Sequence, residues 1–147
     1  MRTHRDLLSQ MYEHAVDDLP NECCGLILGV GDTEPVVAAE THRARNAAAS
    51  PVFYELDQDD HFRIMTDGEE HGLDVVGIYH SHPHMAPRPS GVDSALANYP
   101  NLVYVIVGLR EGRDGLAGTA RAWRITDRGI REEPLEVIGG VTVERKG

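Results

Sequence analysis

Apolar residues near the start of the chain recur at three- and four-residue intervals, which is the spacing of an amphipathic helix. The pattern extends from Asp6 to Leu19 and Pro20 would end the helix, while Thr3 and Asp6 have the spacing of a capping box. Boundary residues predict two further helices, one from Asp57 to about Gly72 and a short one from Ser90 to Pro100.

Apolar runs between these helices predict β-strands. CCGLILGV and EPVVAAETH flank the turn Gly31-Asp32 and predict a hairpin, and the strongly β-branched run LVYVIVGL predicts a central strand. Further strands are predicted at VFYEL after Pro51, at Leu73 to His82, at TARAWRIT beyond the Gly-rich EGRDGLAG, and from Gly129 to about Ile138. This mixed order predicts an α+β domain in which helices flank a mixed, largely antiparallel sheet.

The composition fits one globular domain. The chain has 147 residues, of which 41% are hydrophobic and 26% charged, and no repeat, linker or low-complexity tract divides it. Residues 1–147 are therefore predicted to form a single domain, with 139–147 as a flexible tail. The formal net charge of −10 and the lack of a basic run argue against a nucleic-acid partner.

Two local features bear on the cellular compartment. The first residues, MRTHRDLLSQ, contain neither an apolar signal core nor a stretch that could span a bilayer, so a cytoplasmic protein without membrane association is expected. Cys23 and Cys24 are the only cysteines, and adjacent residues of a strand point to opposite faces. A disulfide between them would be strained, which fits a reducing compartment.

Two histidines stand one residue apart at the end of an apolar run, in GIYHSHPHMAP. Residues i and i+2 of a strand share one face, so His80 and His82 can bind one ion while Ser81 points away. Asp93 can return through the proline-rich loop as a third ligand, and His2Asp plus water is the open coordination of a catalytic zinc. Taken alone, this HxH pattern is equally compatible with surface histidines, and the Ser90 to Asp93 spacing with a helix capping box.

Together with Glu22, which precedes a buried strand, these residues form a longer pattern. H-S-H-x7-S-x-x-D from His80 to Asp93, joined by an upstream glutamate, resembles the signature of the JAMM (MPN+) metalloproteases. The order of NECCGLILG, SPVFYELD, GIYHSHP, SGVD and LVYVIVGL resembles the small bacterial branch of that family, which includes Mec-type peptidases acting on ubiquitin-like sulfur-carrier proteins. The resemblance implies a cytidine-deaminase-like JAMM/MPN architecture.

The resemblance also implies a role for each side chain of the pattern. His80, His82 and Asp93 would bind Zn²⁺, Glu22 would be the general acid/base, and Ser90 would stabilise the tetrahedral intermediate. The implied reaction is cleavage after the C-terminal Gly-Gly of a ubiquitin-like or sulfur-carrier protein. A glycine tail can lie extended in a narrow groove without a side-chain clash, and the short chain favours a small β-grasp carrier as partner.

Other interpretations are also compatible with the sequence. The chain could be a metal-free interaction scaffold of the same fold, or another small zinc hydrolase, since HxH with a distant aspartate also occurs in barrel-shaped amidohydrolases. His84 is predicted to have a loop or substrate-contact role because Pro83 interrupts the strand, and Cys24 to be a buried small hydrophobe. Gly139-Gly140 is expected to be a turn or linker rather than a self-processing site.

Overall fold

The structure of the protein, a computed structural model, describes residues 1–109 and 120–139. The helices in these ranges are α1 (Arg5–Asp17), α2 (Gln58–Glu70) and α3 (Gly91–Leu96). The strands are β1 (Arg2–His4), β2 (Cys24–Val30), β3 (Val37–Ala44), β4 (Asp74–His82), β5 (Val103–Gly108), β6 (Ala120–Thr126), β7 (Gly129–Glu133) and β8 (Glu136–Ile138). EGRDGLAG and residues 140–147 of the predicted tail lie outside the described residues.

All of these strands belong to one mixed sheet, in the order β7-β6-β5-β4-β2-β3-β1-β8. β4 pairs with β5 in parallel, as β1 does with β3 and β8, and the other neighbours are antiparallel. β7 and β8 stand at opposite ends of this order although Pro134 and Leu135 alone separate them in the chain, so the sheet must curl towards closure. The predicted α+β class with a mixed, largely antiparallel sheet is confirmed.

The two faces of the sheet carry separate cores. On one face α1 packs through residues such as Met11 and Ala15 against alternate residues of the central strands. On the other face α2 packs through Ile64, beside Leu26 and Ile78. Because side chains alternate along a strand, residues 78, 80 and 82 of β4 share the face that α2 covers.

The interior position of β5 confirms the prediction made from LVYVIVGL. All six residues of β5 are buried, and the strand lies between β4 and β6. Its parallel pairing with β4 runs from Gly77–Val103 to His82–Gly108, so it supports β4 along its whole second half. The two histidines at the end of β4 are therefore backed by a rigid, fully paired part of the sheet.

The absence of a side chain at Gly25 on β2 lets α1 pack closely against the sheet. It lies opposite Tyr79 of β4, and a Cβ atom there would overlap the Tyr79 ring and lie 2.5 Å from the carbonyl oxygen of His42. The Tyr79 hydroxyl reaches the ring of His14 on α1, where Oη and Nδ1 are 2.7 Å apart. The missing side chain thus makes room for an aromatic ring that ties α1 to the sheet.

The prediction of a strand at VFYEL, after Pro51, was wrong. This segment is irregular apart from an isolated bridge between Leu56 and Asn46. The Asn46 side chain accepts a hydrogen bond from Glu55 N and donates one to Phe53 O, at 2.9 and 3.2 Å. Because a side-chain amide takes up these backbone groups, they are not available for a β-ladder.

Three predicted boundaries also required correction. Helix α3 ends at Leu96 and does not continue to Pro100. Helix α1 is capped by His4, whose Nδ1 accepts a hydrogen bond from Asp6 N at 3.0 Å, whereas Thr3 lies in β1. The final extended segment is not one strand, because it divides near Pro134 into β7 and β8, which pair at opposite ends of the sheet order. The caps predicted at Asp57 and Ser90 are present.

No helix among the described residues is both long and apolar enough to cross a lipid bilayer.

Candidate metal centre

The two histidines of the HxH pattern converge at the end of β4. His80 and His82 are 1% and 2% exposed, and their Nε2 atoms lie 3.3 Å apart. Ser81, between them, points to the other face, where its Oγ accepts a hydrogen bond from Cys23 N at 2.8 Å. The alternating strand geometry therefore directs both imidazoles to one point and uses the intervening serine to hold β4 to the chain before β2.

Helix α3 brings Asp93 to the same point. Ser90 caps this helix: its Oγ accepts a hydrogen bond from Asp93 N at 3.0 Å, and its own N–H donates to Asp93 Oδ2 at 2.9 Å. This capping box orients the carboxylate so that Oδ1 lies 3.2 Å from His80 Nε2 and Oδ2 lies 2.9 Å from His82 Nε2. The structure thus brings together the three residues predicted as metal ligands.

The spacing and chemistry of these donors fit a zinc ion. Two imidazole nitrogens and a carboxylate meet where water has little access, and their electron pairs repel one another unless a proton or a metal ion lies between them. Ligand atoms about 2.0–2.1 Å from a tetrahedral zinc ion lie roughly 3.3 Å from each other. The two imidazole nitrogens are 3.3 Å apart, which is this value, and one Asp93 oxygen lies 3.2 Å from His80 Nε2 while the other lies 2.9 Å from His82 Nε2.

The tautomer of the neutral His82 ring is set by a backbone carbonyl. His82 Nδ1 lies 2.8 Å from Ala86 O, and because a carbonyl oxygen can only accept, Nδ1 carries the hydrogen of the neutral ring. The electron pair of Nε2 then points at the cluster, as a metal ligand requires. Burial lowers the pKa of His80, which favours a neutral imidazole. Burial also opposes the charged form of His82, but Asp93 and the Ala86 carbonyl outweigh it and raise the pKa of that ring, so a metal ion would take the place of a proton there.

The Asp93 carboxylate remains ionised in this site. Burial alone would raise its pKa, but the neighbouring His80 and His82 rings and the hydrogen bond from the Ser90 N–H hold the pKa well below its usual range. Asp93 therefore supplies one negative charge against which a divalent cation can be bound.

Glu22 lies beside this cluster. Antiparallel pairing of Cys24 with His80 places Glu22, two residues earlier, level with His82 on the same face of the sheet. Its side chain is buried, and Oε1 has no hydrogen-bond partner within the part of the chain that the structure describes. Burial raises the pKa of Glu22 to about 8, with His82 opposing and Asp93 adding to the shift, and a cation at the cluster would lower this pKa.

An asparagine missed by sequence reasoning holds the Glu22 segment. The buried Asn46 amide donates to Glu22 O at 3.0 Å and to Phe53 O at 3.2 Å, while its Oδ1 accepts from Ala48 N and Glu55 N at 3.0 and 2.9 Å. It lies in RARNAAAS, a weakly patterned stretch in which a single buried amide leaves no periodic signal. Asn46 joins the Glu22 segment to the loop at 53–55.

Tyr54, on that loop, is a second contact that sequence reasoning missed. Its ring stacks on His80 with a centroid separation of 4.4 Å and an interplanar angle of 27°. Tyr54 and Asp93 both line a cavity of about 410 Å³ whose other walls are largely aromatic or apolar. They include Phe53, Val92, Leu96 and Tyr99. A groove with largely apolar walls therefore begins at Asp93, on one side of the donor cluster.

The other candidate residues lie outside the cluster. His84 is exposed on the loop after β4. Cys23 and Cys24 are free thiols and fully buried, as predicted for Cys24. Burial raises the pKa of the Cys23 thiol to about 12 and raises that of Cys24 as well, so neither is a thiolate near neutral pH.

Fold and site together define a candidate metallohydrolase: a curled mixed sheet with a buried His-His-Asp cluster beside a glutamate. The sequence profile described as prokaryotic homologs of the JAB domain matches residues 4–126, and the chain belongs to this family. A desampylase of Haloferax volcanii is 44% identical over 101 residues, which cover 68% of this chain and 71% of the relative. A CysO-cysteine peptidase of Mycobacterium tuberculosis is 36% identical over 135 residues, 90% of this chain and 88% of the relative.

Solved structures agree with this assignment. A protein of Desulfitobacterium hafniense, determined in solution, superposes with a TM-score of 0.86 and 28% identity over 97% of both chains. A structure described as JAMM, a metalloprotease-like zinc site in the proteasome and signalosome, has the same fold, with a TM-score of 0.56 and 22% identity over 95% and 98% of the two chains. The resemblance to the JAMM family is confirmed, and the enzyme class is that of a peptidase.

We expect Asn46→Ala to lower the free energy of unfolding by about 2–3 kcal/mol. The substitution leaves buried or half-buried backbone groups of two segments without their partner, and each such group costs about 1–3 kcal/mol where water cannot replace it. Urea unfolding followed by circular dichroism measures the change. Asn101→Ala, at an exposed loop position, is the control and should change stability by less than about 0.5 kcal/mol. Equal stability of the two variants would contradict the role of Asn46.

Proposed function

We propose that this protein is a zinc-dependent JAMM-type peptidase or isopeptidase that hydrolyses the bond after the C-terminal Gly-Gly of a ubiquitin-like or sulfur-carrier protein. The observation that carries the proposal is the convergence of His80, His82 and Asp93 on one buried point with Glu22 alongside. The relatives named desampylase and CysO-cysteine peptidase support a reaction on a protein modifier or carrier.

The proposed zinc ligands are His80 Nε2, His82 Nε2 and the Asp93 carboxylate. Three protein ligands are typical of catalytic zinc sites, whereas structural sites have four. When bound, zinc supplies a Lewis acid that polarises the scissile carbonyl and makes water more acidic. The chain contributes the rigid placement of the ligands, since β4 holds both histidines and the α3 cap holds the aspartate.

Glu22 is the proposed general acid/base. Its carboxylate would take a proton from the attacking water and deliver it to the leaving amine, which is a role that needs a group next to the reacting atoms but not bound to the metal. Its buried position level with His82, and the unpartnered Oε1, support this assignment. Asn46 would keep the Glu22 segment in register with the ligands.

Ser90 is the proposed donor to the oxyanion of the tetrahedral intermediate. Its Oγ accepts the hydrogen bond from Asp93 N, and a hydroxyl that accepts still has its own hydrogen to donate. Removing one such donor typically costs about 10²–10³-fold in rate. Capping of α3 and oxyanion binding are compatible, because they use different sides of the same hydroxyl.

The cavity beside Asp93 and Tyr54 is the proposed site for the carrier's tail. It opens at the cluster and is bordered by aromatic and apolar side chains, which suit an extended segment lying against them. Glycines at the end of that segment could approach the ligands closely because they have no side chain. The scaffold alternative would leave the buried donors without a cation, and for that reason we favour an enzyme.

The purified protein should contain stoichiometric zinc, and His80→Ala and His82→Ala should each lose both the zinc and the activity. Each substitution leaves only two of the three ligands in place. Inductively coupled plasma mass spectrometry of protein purified without added metal gives the zinc content. His84→Ala, two residues beyond His82 but exposed, is the matched control and should keep its zinc. A metal-free wild-type protein would instead support the scaffold.

Glu22→Gln should keep its zinc and lose at least about 10²-fold in turnover, because only the proton transfer is removed. Turnover and metal content are measured on the same preparation. Glu13→Gln makes the same chemical change at an exposed position of α1 and should leave both unchanged. Wild-type turnover by Glu22→Gln would remove Glu22 from the mechanism.

A ubiquitin-like carrier from the same organism, extended beyond its C-terminal Gly-Gly, should be cut after the second glycine. Intact-mass spectrometry of the products locates the cleaved bond, with a peptide extension and a lysine isopeptide compared as leaving groups. The zinc-loaded Glu22→Gln protein and a carrier with the two glycines replaced by alanine serve as controls. Cleavage at another bond, or equal cleavage of the alanine carrier, would contradict the proposed specificity.

A further inference from the structure

The two histidines of the cluster are held in place by different means. His82 Nδ1 is hydrogen-bonded to Ala86 O at 2.8 Å. His80 Nδ1 is buried as well, but it has no hydrogen-bond partner among residues 1–109 and 120–139. Histidine ligands usually have their second ring nitrogen bonded, and this bond fixes the orientation of the ring. Some other contact must therefore orient His80.

The contact that covers His80 is the ring of Tyr54. The two rings stack with centroids 4.4 Å apart and planes inclined by 27°, while His82 meets His80 nearly edge-on at 5.1 Å. A half-turn of His80 about its Cβ–Cγ bond would put Cε1 where Nε2 now faces Asp93. That rotation sweeps the ring edge through the space occupied by Tyr54, so the stack blocks it.

The loop that carries Tyr54 is itself well anchored. Asn46 bonds to the backbone on either side of Tyr54, at Phe53 O and Glu55 N, and the same amide bonds to Glu22 O. The bridge between Asn46 and Leu56 closes the loop. Tyr54 is therefore placed by the same amide that holds the Glu22 segment, and its ring has a defined position from which to restrain His80.

We propose that Tyr54 is a positioning residue that keeps His80 Nε2 directed at the metal by ring stacking instead of a hydrogen bond. The inference rests on the proposed zinc site. It assigns the effect to the aromatic face of Tyr54 and not to its hydroxyl, so phenylalanine can replace tyrosine and an aliphatic residue cannot.

Zinc affinity of Tyr54 variants tests the proposal. The zinc dissociation constant is measured by competition with a chromophoric chelator, starting from metal-free protein. We expect the constant of Tyr54→Leu to be about 10-fold or more higher than that of wild type, which is the usual effect when a metal ligand loses the group that orients it. Tyr54→Phe should stay within about twofold of wild type. Phe53→Leu makes the same kind of change in the same loop and lines the same cavity without stacking on His80, so its zinc affinity should match that of wild type.

Nuclear magnetic resonance of the metal-free protein gives a readout that does not involve zinc. Ring current from Tyr54 should shift the ring protons of His80 upfield in wild type and in Tyr54→Phe, and these signals should move downfield in Tyr54→Leu. If Tyr54→Leu does not fold, Tyr54→Met provides the same comparison with a side chain of larger volume and no aromatic face.

The outcomes separate this inference from the function on which it rests. Wild-type protein that binds no zinc overturns the proposed function. Wild-type protein that binds zinc, with Tyr54→Leu or Tyr54→Met binding equally tightly and the His80 signals unmoved, overturns the positioning role alone. Weakened zinc binding in Tyr54→Phe would also overturn it, because the effect would then belong to the hydroxyl.

Discussion

Electrostatic repulsion among three electron-pair donors in a buried site is the constraint on which the structure of this protein depends. His80 Nε2, His82 Nε2 and the Asp93 carboxylate lie about 3 Å from one another where water has little access. Such a cluster needs positive charge, from a proton or a bound metal ion, and a scaffold that prevents the donors from moving apart. Strand β4, the α3 cap and the packed sheet together form this scaffold.

Different local interactions hold each part of the site. Parallel pairing with β5 and antiparallel pairing with β2 support β4 on both edges, and Ser81 adds a hydrogen bond to the chain beside Glu22. The capping box of α3 fixes the carboxylate of Asp93. Asn46 links the Glu22 segment to the loop of Tyr54. The acid/base, the ligands and the wall of the adjacent cavity are therefore connected by short hydrogen-bonded paths.

The sheet order explains why a short chain can form such a site. β2 and β4 are neighbours although β3 and α2 separate them in the chain, and this adjacency brings Glu22, two residues before β2, level with the end of β4. α1 covers one face of the central strands and α2 covers the other, so both faces are buried. The packed core thus holds the start of β2, the end of β4 and the short helix α3 close to one another.

The residues of the donor cluster were predictable because their spacing is local. Strand alternation over three residues brings two histidines to one face, and a capping box over four residues orients an aspartate. Most elements followed from periodicity and boundary residues for the same reason. The prediction of a strand at VFYEL failed because the side chain of Asn46 satisfies part of its backbone, and β1 was missed because three residues are too few to show a pattern.

The amino-acid sequence by itself determined the chemical types of the site residues and the secondary structure that carries the histidines and Asp93. Only the tertiary structure decided that Glu22 lies level with His82, that Asp93 reaches both imidazoles, and that Tyr54 covers His80. The physical reason is that these contacts join segments far apart in the chain. Their distances depend on strand order, register and packing of the complete core, which no local pattern contains.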